Sequence, residues 1–126
     1  MKRAIVTDSA PKAVGPYSQA IAIGQLLFCA WQIPLDPETG ELAGGDAAAQ
    51  AEQVCRNIQA VLAANNMTFS DVVKTTVFLT AMDDFAAVNA VYARYFPEPF
   101  PARSTVAVTA LPRGAKVEIE VTAARA

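Results

Sequence analysis

The chain of 126 residues contains no histidine. That absence removes Ser-His-Asp and Cys-His nucleophilic centres, histidine acid/base chemistry and histidine-ligated metals. Cysteine is scarce too, with Cys29 and Cys55 as the two examples. Both stand among apolar residues and read as small core side chains in a reducing, cytoplasmic compartment, without a disulfide or a zinc site between them. Charge is sparse, at 17% of residues, and the 10 basic side chains are scattered among 12 acidic ones. No basic stripe forms, so nucleic acid is not an expected partner. The longest apolar segment, residues 20–31, is interrupted by Gly24 and Gln25. It is too short to span a bilayer, and Met1-Lys2-Arg3 leads into no signal-peptide run, so no membrane partner is expected. Any catalysis falls to carboxylates, Tyr, Arg, hydroxyls, amides and backbone groups, without metal or cofactor.

What the chain does have is apolar residues, 53% of the total. One domain over 1–126 buries enough surface for a core without staples. The surplus predicts cover from a partner subunit. Short β-branched or apolar runs predict strands at 3–6, 18–23 and 26–33, the last buried on both faces. Asp46 is a good N-cap for a long amphipathic helix over 47–65, with Ala47, Ala51, Val54, Cys55, Ile58, Val61 and Leu62 at helical spacing. A strand follows over 72–79. Asp83-Asp84 then caps a second helix over 85–96, which Pro97, Pro99 and Pro101 stop. The strands 103–110 and 115–122 close the chain. The order β-β-β-α-β-α-β-β predicts an α+β fold: a six-stranded mixed sheet with two helices on one face.

Candidate chemistry gathers near the C-terminus. Phe100-Pro101-Ala102-Arg103-Ser104 is a stiff lead-in to a guanidinium that suits a carboxylate bidentately. The last strand alternates Val117, Ile119 and Val121 with Lys116, Glu118 and Glu120. If the final two strands form a simple hairpin, Thr105 lies opposite Glu120 and Ala107 opposite Glu118. Arg103, Glu118 and Glu120 then share one face, with Arg103 and Glu118 about 13 Å apart at the backbone. Such a gap holds a small carboxylic acid and a water. Tyr17 leaves the constrained turn at Gly15-Pro16, and Asn89 sits beside the apolar face of the second helix.

These residues belong to a longer pattern. It comprises Ala10-Pro11 with Gly15-Pro16-Tyr17, Gln32-Ile33-Pro34 with Thr39-Gly40, and Val73-Lys74-Thr75-Thr76-Val77-Phe78. It continues through Phe85-Ala86-Ala87-Val88-Asn89 and Phe100-Pro101-Ala102-Arg103-Ser104 to Val117-Glu118-Ile119-Glu120. In that order and spacing the chain resembles the RidA (YjgF) family of reactive-intermediate deaminases over nearly its whole length. The resemblance implies a chorismate-mutase-like fold and a homotrimer with clefts between subunits. It implies hydrolysis of enamines and imines such as 2-aminoacrylate to 2-keto acids and ammonia, with a small carboxylate-bearing imine as the partner. By the same resemblance Arg103 binds the substrate carboxylate and Glu118 orients or activates the water. Tyr17 lines the pocket, Asn89 contributes from the cleft wall, and backbone groups near residues 31 and 105 add hydrogen bonds.

The chain departs from that family at three positions. Ala30-Trp31-Gln32 replaces the usual Ser-Gly-Gln, and Thr105 stands where many members carry Cys. Ala30 removes a hydroxyl from the expected pocket. Trp31 either fills part of the cleft or points into the core and leaves the cleft open. Three rival readings follow: a non-catalytic trimer that binds small carboxylates with Trp31 blocking turnover, a diverged member whose substrate is smaller, shifted or different because of Ala30-Trp31, and an endoribonuclease. The missing histidines and scattered charge argue against the last.

Overall fold

The computed structural model describes residues 1–126 and places the elements in the expected order. Strands β1 (Arg3–Ile5), β2 (Ala20–Ile23) and β3 (Leu26–Cys29) come first. Helix α1 (Ala47–Ala64), β4 (Val72–Leu79), helix α2 (Phe85–Tyr95), β5 (Ala102–Ala107) and β6 (Val117–Ala124) follow. The strands form one six-stranded sheet in the order β1-β2-β3-β6-β4-β5, and both helices cover the same face. This is the α+β architecture that the residue pattern predicts.

The Asp46 side chain accepts from the Ala49 amide at 2.9 Å and starts α1 by satisfying one of its free N–H groups. The apolar stripe from Ala47 to Leu62 is buried against the sheet, where it meets Leu27, Val77, Leu79, Val117, Ile119 and Val121. Each large aliphatic side chain in that layer contributes roughly 1.5–3 kcal/mol by leaving water. Cys29 and Cys55 are free and buried in the same core, and burial pushes both thiols up to about 12.

The second cap differs from expectation. A 3-10 turn over Met82–Asp84 leads into α2, and Asp84 makes no side-chain cap hydrogen bond. The turn itself redirects the chain, so the carboxylates stay in solvent.

Two strand expectations are corrected. β3 is buried on one face only: Leu27 and Cys29 enter the core, while Leu26 and Phe28 are exposed on the other side. No layer of the chain covers that second face.

The larger correction concerns the last two strands, which do not pair. β4 lies between them, parallel to β5 and antiparallel to β6. Arg103 lies opposite Thr75, Thr105 opposite Val77, Glu118 opposite Phe78 and Glu120 opposite Thr76. The physical reason is the helix between β4 and β5. A strand–helix–strand crossover returns the chain parallel to where it left, which leaves the other edge of β4 for β6.

Candidate active site

This strand order separates the predicted residues. Thr75 and Val77 face the helices and are buried, so their register partners Arg103 and Thr105 lie on the helix side. Phe78 and Thr76 face the other way, and with them Glu118 and Glu120. Arg103 and Glu118 therefore do not share a face within one chain, contrary to the hairpin expectation.

On the helix side, Arg103 is held by α2. Its Nη1 donates to Asn89 Oδ1 at 2.7 Å. Its guanidinium carbon sits 4.8 Å from the centroid of the Tyr92 ring and 5.5 Å from that of Phe85. Cation–π contact with two rings restrains the fork while leaving most of its donors free. Tyr92 is itself fixed from below by a 2.8 Å hydrogen bond between its hydroxyl and Thr75 Oγ1. Burial raises its phenol above the ordinary value. Asn89 thus meets Arg103 directly, and Thr105 lies two residues along the same strand face.

On the open face, a groove of about 730 Å³ is lined by Tyr17, Ala30, Trp31, Glu118 and Glu120, among others. Glu118 is 0% exposed, and neither carboxylate oxygen has a hydrogen-bond partner in the chain. Burial without a partner pushes its carboxyl up to about 7. A group that titrates near neutrality both takes and returns a proton readily. Tyr17 is exposed, and its hydroxyl accepts from the Val14 amide at 3.3 Å.

Trp31 belongs to the groove rather than the core. Backbone bonds between Gln32 and Ile119, at 2.9 and 3.3 Å, tie this segment to β6. Gln32 and Ile119 point inward and are buried, so Trp31 points outward by alternation. It remains 47% exposed and stacks on Phe78 with ring centroids 4.7 Å apart at 16°.

Several groups that shape the groove carry no catalytic signal in the sequence. Gln19 is buried, accepts from the Thr7 amide at 2.8 Å, and donates to the carbonyls of Thr7 (3.0 Å) and Pro11 (2.8 Å). That clamp fixes the loop carrying Lys12 and Tyr17. Asn57, inside α1, donates to the carbonyls of Ile33 at 3.0 Å and Leu35 at 2.9 Å, fixing the opposite wall. A polar residue on the buried stripe of α1 was the available clue to Asn57. Arg113 lines the rim in a left-handed conformation, φ 61°, and donates to the Gly40 carbonyl at 3.3 Å.

The arrangement offers a buried proton-transfer group in a groove, and a braced guanidinium on the opposite side of the sheet. No group of three or more His, Cys, Asp or Glu side chains is placed to hold a metal. No helix is long and apolar enough to cross a membrane.

Residues 7–125 match the model of a protein family described as endoribonuclease L-PSP. The chain is similar to protein DfrA of Myxococcus xanthus, at 56% identity over 97% of this chain and 95% of that one. It is 45% identical to the 2-iminobutanoate/2-iminopropanoate deaminase of Escherichia coli, with 99% of each chain covered. The crystal structure of YyfA from Yersinia pestis, a protein of the conserved Rid family, superposes with a TM-score of 0.96. It is 49% identical, with 99% of this chain and 100% of that chain covered.

Proposed function

Because the chain belongs to the Rid family, that of the L-PSP and YjgF proteins, we propose that it hydrolyses reactive 2-imino acids and their enamine tautomers. 2-Aminoacrylate is the type substrate, and the products are a 2-keto acid and ammonia. The observation that carries this reading is Glu118, a buried carboxyl without a partner, titrating near neutrality in an accessible groove.

The chemistry needs little more. The enamine takes a proton from solvent at its β-carbon and releases one from nitrogen to become the imine. Glu118, as carboxylate, removes a proton from water as the oxygen adds to the imine carbon. The resulting acid returns that proton to nitrogen, which gives the neutral carbinolamine. The carboxylate then takes the hydroxyl proton and passes it to the amino nitrogen as the C–N bond breaks, so the C=O bond forms and ammonia leaves. One positioned acid/base group supplies about 10²–10⁴-fold, and fixing the substrate supplies several kcal/mol more.

Arg103 is the carboxylate anchor in this proposal, with Thr105 beside it, Asn89 bracing it, and Tyr17 and Ala30 lining the wall. Since Arg103 and Glu118 leave opposite faces, the anchor must come from a second copy. We take the assembly to be a homotrimer. The unpartnered sheet face supports association: Ile23, Leu26, Phe28 and Val106 are all exposed there. Each cleft then joins the edge strand of one subunit to the groove of the next.

The test is pyruvate release when a dehydratase generates 2-aminoacrylate in situ. Wild type accelerates it, and Arg103→Ala and Glu118→Gln each abolish the acceleration. Unchanged release in either variant removes that residue from the mechanism.

Trp31 stacked in the groove favours one rival, a trimer that binds small carboxylates without turning them over. That reading predicts a ligand-bound but inactive wild type and activity gained in Trp31→Gly. The ribonuclease activity in the family's description finds less support here. The groove's cations are Lys12 and Arg113, facing two glutamates, a poor seat for a phosphate backbone.

A further inference from the structure

Trp31 and Phe78 belong to chain segments on opposite sides of β6. The Trp31 segment is bridged to β6 at Gln32, and Phe78 lies on β4 directly opposite Glu118. Segments flanking a common strand are about 10 Å apart. Rings from the two flanks come within 4.7 Å only by meeting above that strand. The antiparallel bridge sets Trp31 opposite Glu120, while Phe78 stands opposite Glu118, so the stacked pair crosses β6 diagonally between these two rungs. Glu118, 0% exposed, lines the same groove as the indole.

We infer that Trp31 is the specificity-determining residue of this site, its indole occupying the volume over Glu118 so that only imines with the smallest side chains reach the carboxyl. The inference rests on the proposed deaminase reaction and deepens it by naming the substrate class. A stacked indole is hard to displace. Moving it forfeits the contact with Phe78 as well as the burial of the two stacked ring faces. A methyl group passes beside it, whereas a branched or aryl side chain has to expel it. Packed apolar walls discriminate single carbon groups by roughly 10–200-fold. Ala30, next to it, also lines the groove and carries no side chain beyond a methyl group, which leaves the indole as the bulk of that wall.

The experiment compares kcat/KM for 2-iminopropanoate and for the branched 2-imino-4-methylpentanoate, each generated in situ by an amino-acid oxidase with catalase. The preference for the small imine falls at least ~10-fold in Trp31→Gly, through a gain on the branched substrate, and survives within ~3-fold in Trp31→Phe. An unchanged preference in Trp31→Gly overturns the inference.

A second measurement needs no turnover. Trp31 is the single tryptophan of the chain, so its fluorescence reports on what lies beneath it. The titratable groups lining the groove are Lys12, Tyr17, Arg113, Glu118 and Glu120, and Lys74 lies further along the open face of β4. The roof predicts an emission change as Glu118 ionises between pH 5 and 9, absent in Glu118→Gln. Identical curves for the two proteins overturn the roof. A wild type inactive on every imine sinks the deaminase reading and the selectivity claim with it. The fluorescence result separates that failure from a wrong placement of the indole.

Discussion

Arg103 and Glu118 both lie on neighbours of β4, yet their side chains leave the sheet on opposite faces. Arg103 turns to Asn89 and Tyr92 under α2. Glu118 leaves on the open side, where it lines a groove with Trp31. A reaction that uses both must recruit them from different copies.

Subunit mixing tests that requirement. Arg103→Ala and Glu118→Gln are each inactive as pure proteins. Refolded together in equal amounts, they form some clefts with an intact arginine from one copy and an intact glutamate from the next. Random assembly in a ring leaves about one quarter of the clefts whole, so activity returns to about a quarter of wild type. A mixture as inactive as its parents means that both groups act within one copy, or not at all.

Glu118 makes stability depend on pH in a direction opposite to most carboxylates. Burial raises its folded-state value from 4.5 to about 7. The native chain thus holds a proton that the unfolded chain has released between those limits. Its favourable contribution is complete below pH 4.5 and is lost as pH rises through 7, an effect on the order of 3 kcal/mol. The comparison belongs in an Arg103→Ala background, where no guanidinium arrives to favour the anion. Urea midpoints of Arg103→Ala and Arg103→Ala/Glu118→Gln, at fixed protein concentration, should diverge from pH 4.5 to 8, with the glutamine variant ahead at high pH. Parallel curves show that Glu118 is solvated.

Asn89 holds Arg103 through one 2.7 Å hydrogen bond. Asn89→Leu removes the acceptor and frees the fork to swing. Losing a hydrogen bond to a charged group costs about 1.5–3 kcal/mol where it counts. If that loss falls on carboxylate binding, KM rises about tenfold while kcat changes little. A fall in kcat at constant KM would place Asn89 at the chemical step instead.

Asn57 is the most exacting polar residue in the core. It is 0% exposed and serves the carbonyls of both Ile33 and Leu35. Asn57→Ala strands two carbonyls and leaves a small cavity, a loss of about 2–4 kcal/mol measurable by urea denaturation. Because those carbonyls belong to the groove wall, amide hydrogen exchange at residues 30–35 should quicken before the rest of the sheet. Uniform quickening would make Asn57 a core residue without a local role.

The comparison of sequence with structure turns on a few residues. Asp46, the α1 stripe and the alternation of β6 were legible because each is a local pattern, written within a turn of helix or a few residues of strand. Arg103 and Glu118 stood out by chemistry and position in the strand pattern, and Asn89 by the family resemblance. The hairpin expectation fails because neighbours in sequence are not neighbours in the sheet: β4 lies between β5 and β6. The crossover signal, a strand at 72–79, a helix and a strand at 102–107, was present in the same residues. Glu118's burial was not legible, since the groove it lines is built with residues far away along the chain, Tyr17 and Trp31 among them.

The amino-acid sequence by itself determined the element order, the residue types available for chemistry and the exclusion of histidine-based mechanisms. Periodicity and side-chain identity are local properties, and no packing alters them. Tertiary structure alone decided which face each functional group occupies. Inserting β4 between β5 and β6 sends the guanidinium and the carboxyl to opposite sides. Packing then withdraws that carboxyl from water, and its affinity for protons follows from the dielectric around it rather than from its name.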